Sequence, residues 1–127
     1  MPIAMPVSDE QQHGGSLHAA ISDAVVRITA DYTGRGPTRA RTTINGEWIF
    51  VTLSDTLTKG ERKLAATGRA QFVRDTRTAF QDAMREEFVA EVETLTGRTV
   101  TAFLSDNHID PDVGIECFQL APRADGA

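Results

Sequence analysis

The chain has 127 residues, enough for one domain with its own core, and its 40% hydrophobic content is ordinary for a soluble globular protein. A formal net charge of −5 argues against a general nucleic-acid binder, which needs a basic face to displace counterions. The single cysteine, Cys117, excludes an internal disulfide and fits a reducing cytoplasm, and no apolar run reaches the ~20 residues of a membrane span.

Residues 1–15 hold Pro2, Pro6 and two acids without the apolar core of a signal peptide, and read as a disordered leader. A single domain is expected over 16–120, followed by a flexible tail over 121–127. The first helix starts at Ser16, a plausible N-cap. Leu17, Ala20, Ile21, Ala24, Val25, Ile28 and Tyr32 then recur at helical spacing. Gly34 stops it, and Pro37 keeps the preceding residue out of helical geometry.

A hairpin follows. Thr38–Ile44 alternates, Asn45-Gly46 supplies the two positive-φ positions of a tight turn, and Trp48–Leu53 returns. Ile49, Val51 and Leu53 are expected under the helices, with Trp48, Phe50 and Thr52 on the opposite face. In the connector after Ser54, Thr58 and Glu61 have capping-box spacing, and Leu57 with Leu64 can pack a short helix down.

The longest periodic stretch runs from Arg69 to Thr96. Phe72, Thr76, Phe80, Met84, Phe88, Val92 and Leu95 form its apolar stripe, widened by Val73, Ala79 and Ala83. Arg74, Asp75, Arg77, Asp82, Arg85, Glu86 and Glu93 are expected on the solvated face, and Gly97 at the C-cap. A second strand pair then spans Thr99–Ser105, with Val100, Ala102 and Leu104 inward, and Val113–Leu120. Thr33-Gly34-Arg35 and Thr96-Gly97-Arg98 stand at equivalent places, each between a helix and a hairpin, which points to an internal duplication. The fold class is α+β. Two αββ units form a four-stranded antiparallel sheet with both long helices on one face. The other face would carry Trp48, Phe50, Phe103 and Phe118, enough aromatic surface to predict a dimer or partner interface and, first of all, a homodimer.

Three stretches could carry chemistry. Asp106, His108 and Asp110, with Asp112 beyond, offer oxygen and nitrogen ligands to a divalent cation, but their spacing fits no established metal loop. The same residues are what a solvated turn uses to satisfy its own backbone. Arg35, Arg39 and Arg41 form a basic strip for an anionic ligand, or equally a charged edge strand kept soluble. Gly34-Arg35-Gly36-Pro37 follows a helix C-terminus, the wrong end of the dipole for a phosphate cradle, and is read as a chain reversal. Glu86 and Glu87 diverge on a helix, and Cys117 is read as an inert strand thiol. No nucleophile, base and oxyanion hole assemble from these residues, so no enzyme activity and no cofactor are expected.

The order of Gly34-Arg35-Gly36-Pro37, Leu57-Thr58-Lys59-Gly60-Glu61, Val73-Arg74 with Arg77, and Phe103-Leu104-Ser105-Asp106-Asn107-His108 resembles that of the MpsC-like family of bacteria, over roughly Leu17 to Leu120. The resemblance implies association with a sodium-translocating, membrane-potential-generating system, and it carries over no catalytic residue. A chain without a span cannot itself conduct ions. The expected role is therefore a cytoplasmic accessory or regulatory subunit that binds another protein, possible membrane complexes included. The alternative is a small-ligand or divalent-metal sensor using the acidic turn or the arginine strip.

Overall fold

A computed structural model describes residues 9–123. Its elements are α1 (Asp9–Thr33), β1 (Arg39–Asn45), β2 (Trp48–Ser54), α2 (Lys59–Leu64), α3 (Ala70–Thr96), β3 (Val100–His108) and β4 (Val113–Leu120). The four strands form one antiparallel sheet in the order β1-β2-β4-β3, so each hairpin contributes its second strand to the centre. The helix α1 begins at Asp9, ahead of the Ser16 cap and inside the stretch expected to be a leader. Residues 1–8 and 124–127, the rest of the expected leader and most of the expected tail, lie outside the described residues.

Both long helices lie on one face of the sheet. The core joins Ile21, Val25 and Ile28 of α1, Met84, Phe88 and Val92 of α3, Ile49, Val51 and Leu53 of β2, and Phe103, Phe118 and Leu120 of the second hairpin. The expected inward triplet of β2 is therefore in place. The helices run antiparallel, with Arg27 bonded to Glu91 at 3.1 Å and the Tyr32 hydroxyl donating to Glu87.

Two phases differ from the sequence reading. Phe103 and Phe118, expected on the uncovered face, are 7% and 0% exposed in the core, whereas Leu104, expected inward, is 59% exposed. Phe118 is set inward by its pairing in β4 with the core residue Ile49 of β2. For Phe103 and Leu104 the cause is a register shift between Val100 and Ala102. It adds one residue to β3, so Val100 and Phe103 both reach the core and strict alternation fails. Along α3 the buried line is Val73, Arg77, Gln81, Met84, Phe88 and Val92. Its first half is rotated by one residue from the expected stripe. Phe72 is 60% exposed, and Arg77, expected in solvent, is 3% exposed.

The duplication is carried by matched hydrogen bonds as well as by element order. Gly34 and Gly97 both adopt positive φ, 81° and 69°, and close their helices by donating to Ala30 O and Glu93 O. Thr33 and Thr96 each bond the carbonyl four residues earlier, to Thr29 and Val92. Arg35 then donates to Asp55 O at 2.6 Å, and Arg98 to Ala121 O at 2.7 Å. Each of those carbonyls belongs to the residue just past the central strand of its own half. One instruction, written twice, stops a helix and ties the turn to the end of the strand that follows.

The position of Phe118 yields the first prediction. Phe118→Ala should cost about 3–5 kcal/mol in urea unfolding, the price of a large core aromatic. A surface aromatic would cost far less.

Candidate functional site

The described surface offers two places where predicted residues gather. On the sheet face away from the helices, the side chains of Trp48, Phe50, Leu104, Val113, Ile115 and Cys117 share one side by register. Trp48 and Phe50 stack with ring centroids 6.2 Å apart. Trp48 and Phe50, but not Phe103 and Phe118, thus stand where the interface was expected. Arg39 and Arg41 are exposed on the same side of β1, which is an edge strand. Arg35 is separate from them. Its guanidinium is engaged by Asp55 O, Leu57 O and the Asp55 carboxylate at 2.6, 2.9 and 2.7 Å. Arg35, with help from the nearby Arg62, holds the Asp55 carboxyl below its ordinary value.

At the end of β3, Asp106 and His108 point to the uncovered face, and Asp110 lies in the turn. The His108 ring bonds Pro111 O at 2.8 Å through Nδ1. Among the described residues no three His, Cys, Asp or Glu side chains are placed to share a metal ion. Asp112 has a structural task. Its carboxylate accepts from Thr56 Oγ1 and Leu57 N, both at 2.9 Å, and so pins the β3–β4 turn to the connector. His108 stands between a groove of about 440 Å³ on the uncovered face and a cleft of about 480 Å³ beside Arg62 and Arg74.

The third place is interior and was not foreseen. Under the first half of α3, Arg77 Nη2 donates to Thr56 O at 2.5 Å and to Glu61 Oε1 at 2.6 Å. Glu61 is the acid of the α2 capping box. Its Oε1 also accepts from Thr58 N at 2.8 Å, and its own N–H donates to Thr58 Oγ1. One carboxylate oxygen therefore serves both the cap and the buried ion pair. Deeper in, Glu116 is 2% exposed on the inner face of β4, with hydrogen bonds from Ser105 and Gln81. Thr29, Arg77, Gln81, Asn107 and Glu116 line a small cavity between the helices and the sheet. Burial pushes the Glu116 carboxyl up to about 7, against the opposing pull of Ser105 and Gln81. A buried carboxyl and a buried guanidinium lining one cavity, where packing alone would place leucines, is an arrangement that costs stability.

The signal for Arg77 was hidden because its partners are 16 and 21 residues away. Glu116 looked like any polar residue in an alternating strand. Phe118, two residues on, shares its face, and with Phe118 expected on the uncovered side the pattern pointed Glu116 away from the core.

The family model described as the Na+-translocating membrane potential-generating system (MpsC) matches residues 13–122. The chain belongs to the MpsC family. No curated protein and no solved structure shows a significant match. The MpsC match takes in all four strands and the long helix, with Arg77, Glu116 and the uncovered sheet face inside it. No helix among the described residues is long and apolar enough to cross a membrane.

Two predictions come from this MpsC interior. Arg77→Met should destabilise the fold by about 3–5 kcal/mol in urea unfolding, because Glu61 and the Thr56 carbonyl lose their buried donor. The second concerns pH. The unfolded Glu116 carboxyl releases its proton near 4.5 and the folded one near 7. Between those values only the folded chain keeps the proton. Stability contributed by this group is thus complete at low pH and is lost as pH rises through the window, by roughly 3 kcal/mol in all. Glu116→Gln should flatten that part of the urea-midpoint profile and be the more stable protein above neutrality.

Proposed function

We propose that this chain is a soluble cytoplasmic accessory or regulatory subunit of an MpsC-type system, working through protein–protein contact rather than catalysis, and that it is a homodimer. The observation that carries the reading is the uncovered sheet face. Helices cover one side of the sheet, while the other presents Trp48, Phe50, Leu104, Val113 and Ile115. Four strands ~4.8 Å apart and about seven residues long give a flat footprint of roughly 450 Å² per copy. The side chains standing on it raise the buried area of a stacked pair into the range of modest specific interfaces. The family description supports membership of a multi-subunit system. A sheet with one apolar face open is suited to that role, since the same surface serves a second copy or a larger partner.

A small-ligand sensor is the second reading, favoured by the groove and cleft that meet at His108. It predicts a rise in melting temperature with divalent cations or nucleotides, through preferential binding to the folded state.

Light scattering tests the first reading. The wild-type chain should have twice the 13.8 kDa protomer mass, and the double variant Phe50→Glu, Leu104→Glu should have the protomer mass with its helix content intact. A wild-type monomer at about 100 µM would overturn the homodimer, since association must win at such concentrations to matter.

A further inference from the structure

The small cavity between α1, α3 and the sheet has a volume of about 10 Å³, counted as room for the centre of a water-sized sphere. That is the space of about one water molecule. Among the described residues, three buried side-chain polar atoms have no hydrogen-bond partner in the protein: Thr29 Oγ1, Arg77 Nε and Asn107 Nδ2. All three of these residues line this one cavity. Thr29 and Arg77 are each 3% exposed. Scattered over the domain, these atoms would be three separate defects. Gathered on one cavity, they specify an occupant.

The chemistry of the lining narrows that occupant to one kind. Arg77 Nε–H and Asn107 Nδ2–H can only donate, so the occupant must accept at least two hydrogen bonds. A metal cation or ammonium accepts none. The Glu116 carboxyl oxygens and the Thr29 hydroxyl oxygen offer acceptors on the same wall in either protonation state of Glu116, so the occupant must also donate. A halide has no proton to give, and a polyatomic anion is too large for the space of one water molecule. A nonpolar atom would leave all three groups unpaired. Water has two donors and two acceptors in one small tetrahedron.

We propose that this cavity is a binding site for a single structural water molecule, which accepts from Arg77 and Asn107 and donates to Thr29 and Glu116. The site joins α1, α3, β3 and β4 at one point. It also couples Arg77 to Glu116, which have no direct hydrogen bond to each other. The groups facing Glu116 are few. From α3 come Arg77 and Gln81, from α1 Thr29, from β2 Leu53, from β3 Ser105 and Asn107, and from the connector Thr56. Arg77 alone among them is charged. Glu61 stands behind Arg77 and Asp112 behind Thr56, each already hydrogen-bonded.

The test uses the whole chain. A crystal structure at about 1.5 Å should show one water peak within hydrogen-bond distance, about 3.2 Å, of both Arg77 Nε and Asn107 Nδ2. Water-oxygen relaxation dispersion in solution should report a long-lived internal water in the wild type. Thr29→Val keeps the shape of the wall and removes one partner, so it should shorten that residence time about tenfold, one hydrogen bond's worth. The proposal is overturned by a wild-type map in which Arg77 and Asn107 reach protein acceptors directly. It is also overturned by a peak with the anomalous signal of a halide, or by dispersion that Thr29→Val leaves unchanged. The wild-type map and dispersion decide the matter even if the variant does not fold.

Discussion

Arg77 cannot turn out to solvent without unpairing Glu61 and the carbonyl of Thr56, and those two groups hold the connector in place. Glu61 caps α2, and Thr56 bonds Asp112, which fixes the β3–β4 turn. A single guanidinium thus sets the roll of α3 on the sheet and the path of the chain that enters it. The exposure of Phe72 is the counterpart of that roll. If α3 turned to bury Phe72, Arg77 would leave its partners. Glu61 and the Thr56 carbonyl would then lose a charge-assisted hydrogen bond each, a larger loss than an exposed aromatic ring. The C-terminal half of the helix has no such constraint, and there Met84, Phe88 and Val92 pack as the apolar pattern implies.

The elements whose causes are local could be read from the chain itself. The Thr58–Glu61 capping box and the glycine C-caps each depend on neighbours within a few residues, and each is found where its residues stand. The first hairpin instead turns one residue later than expected, on Gly46-Glu47, because Asn45 still pairs with Trp48 and positive φ falls on Gly46 and not on Asn45. Phase was harder. At the start of α3 the more apolar line Phe72, Thr76 and Phe80 stands beside the line Val73, Arg77 and Gln81, and the long-range bonds of Arg77 favour burial of the second. In β3, an inserted residue near Thr101 moved Phe103 from one face to the other, and alternation has no means of anticipating it. The interior site suffered from both problems. A buried arginine and a buried glutamate look like surface residues until the partners that satisfy them are known. The uncovered face was recognisable through Trp48 and Phe50, because the first hairpin is regular.

Duplication explains the sheet order that periodicity left open. Two αββ units joined about a twofold axis must place equivalent strands at the centre, and here these are β2 and β4, antiparallel to each other. The repeated Thr-Gly-Arg turns then sit at opposite ends of the sheet, each clamping one terminus of the central pair. The halves have since diverged. The ion pair lies under the second helix, and its long connector carries α2 and the Gly68 kink.

The same strand order leaves β1 and β3 as the edges, and both are lined with polar groups: Arg39, Arg41 and Thr43 along one, Thr101, Asp106 and His108 along the other. Open backbone ladders normally invite a further strand, but charged borders of this kind discourage it. Growth of the sheet sideways into a fibre is therefore disfavoured. Stacking through the apolar face consumes that face completely. In the proposed homodimer, association by this route would close upon itself at two copies and give a discrete particle rather than a polymer.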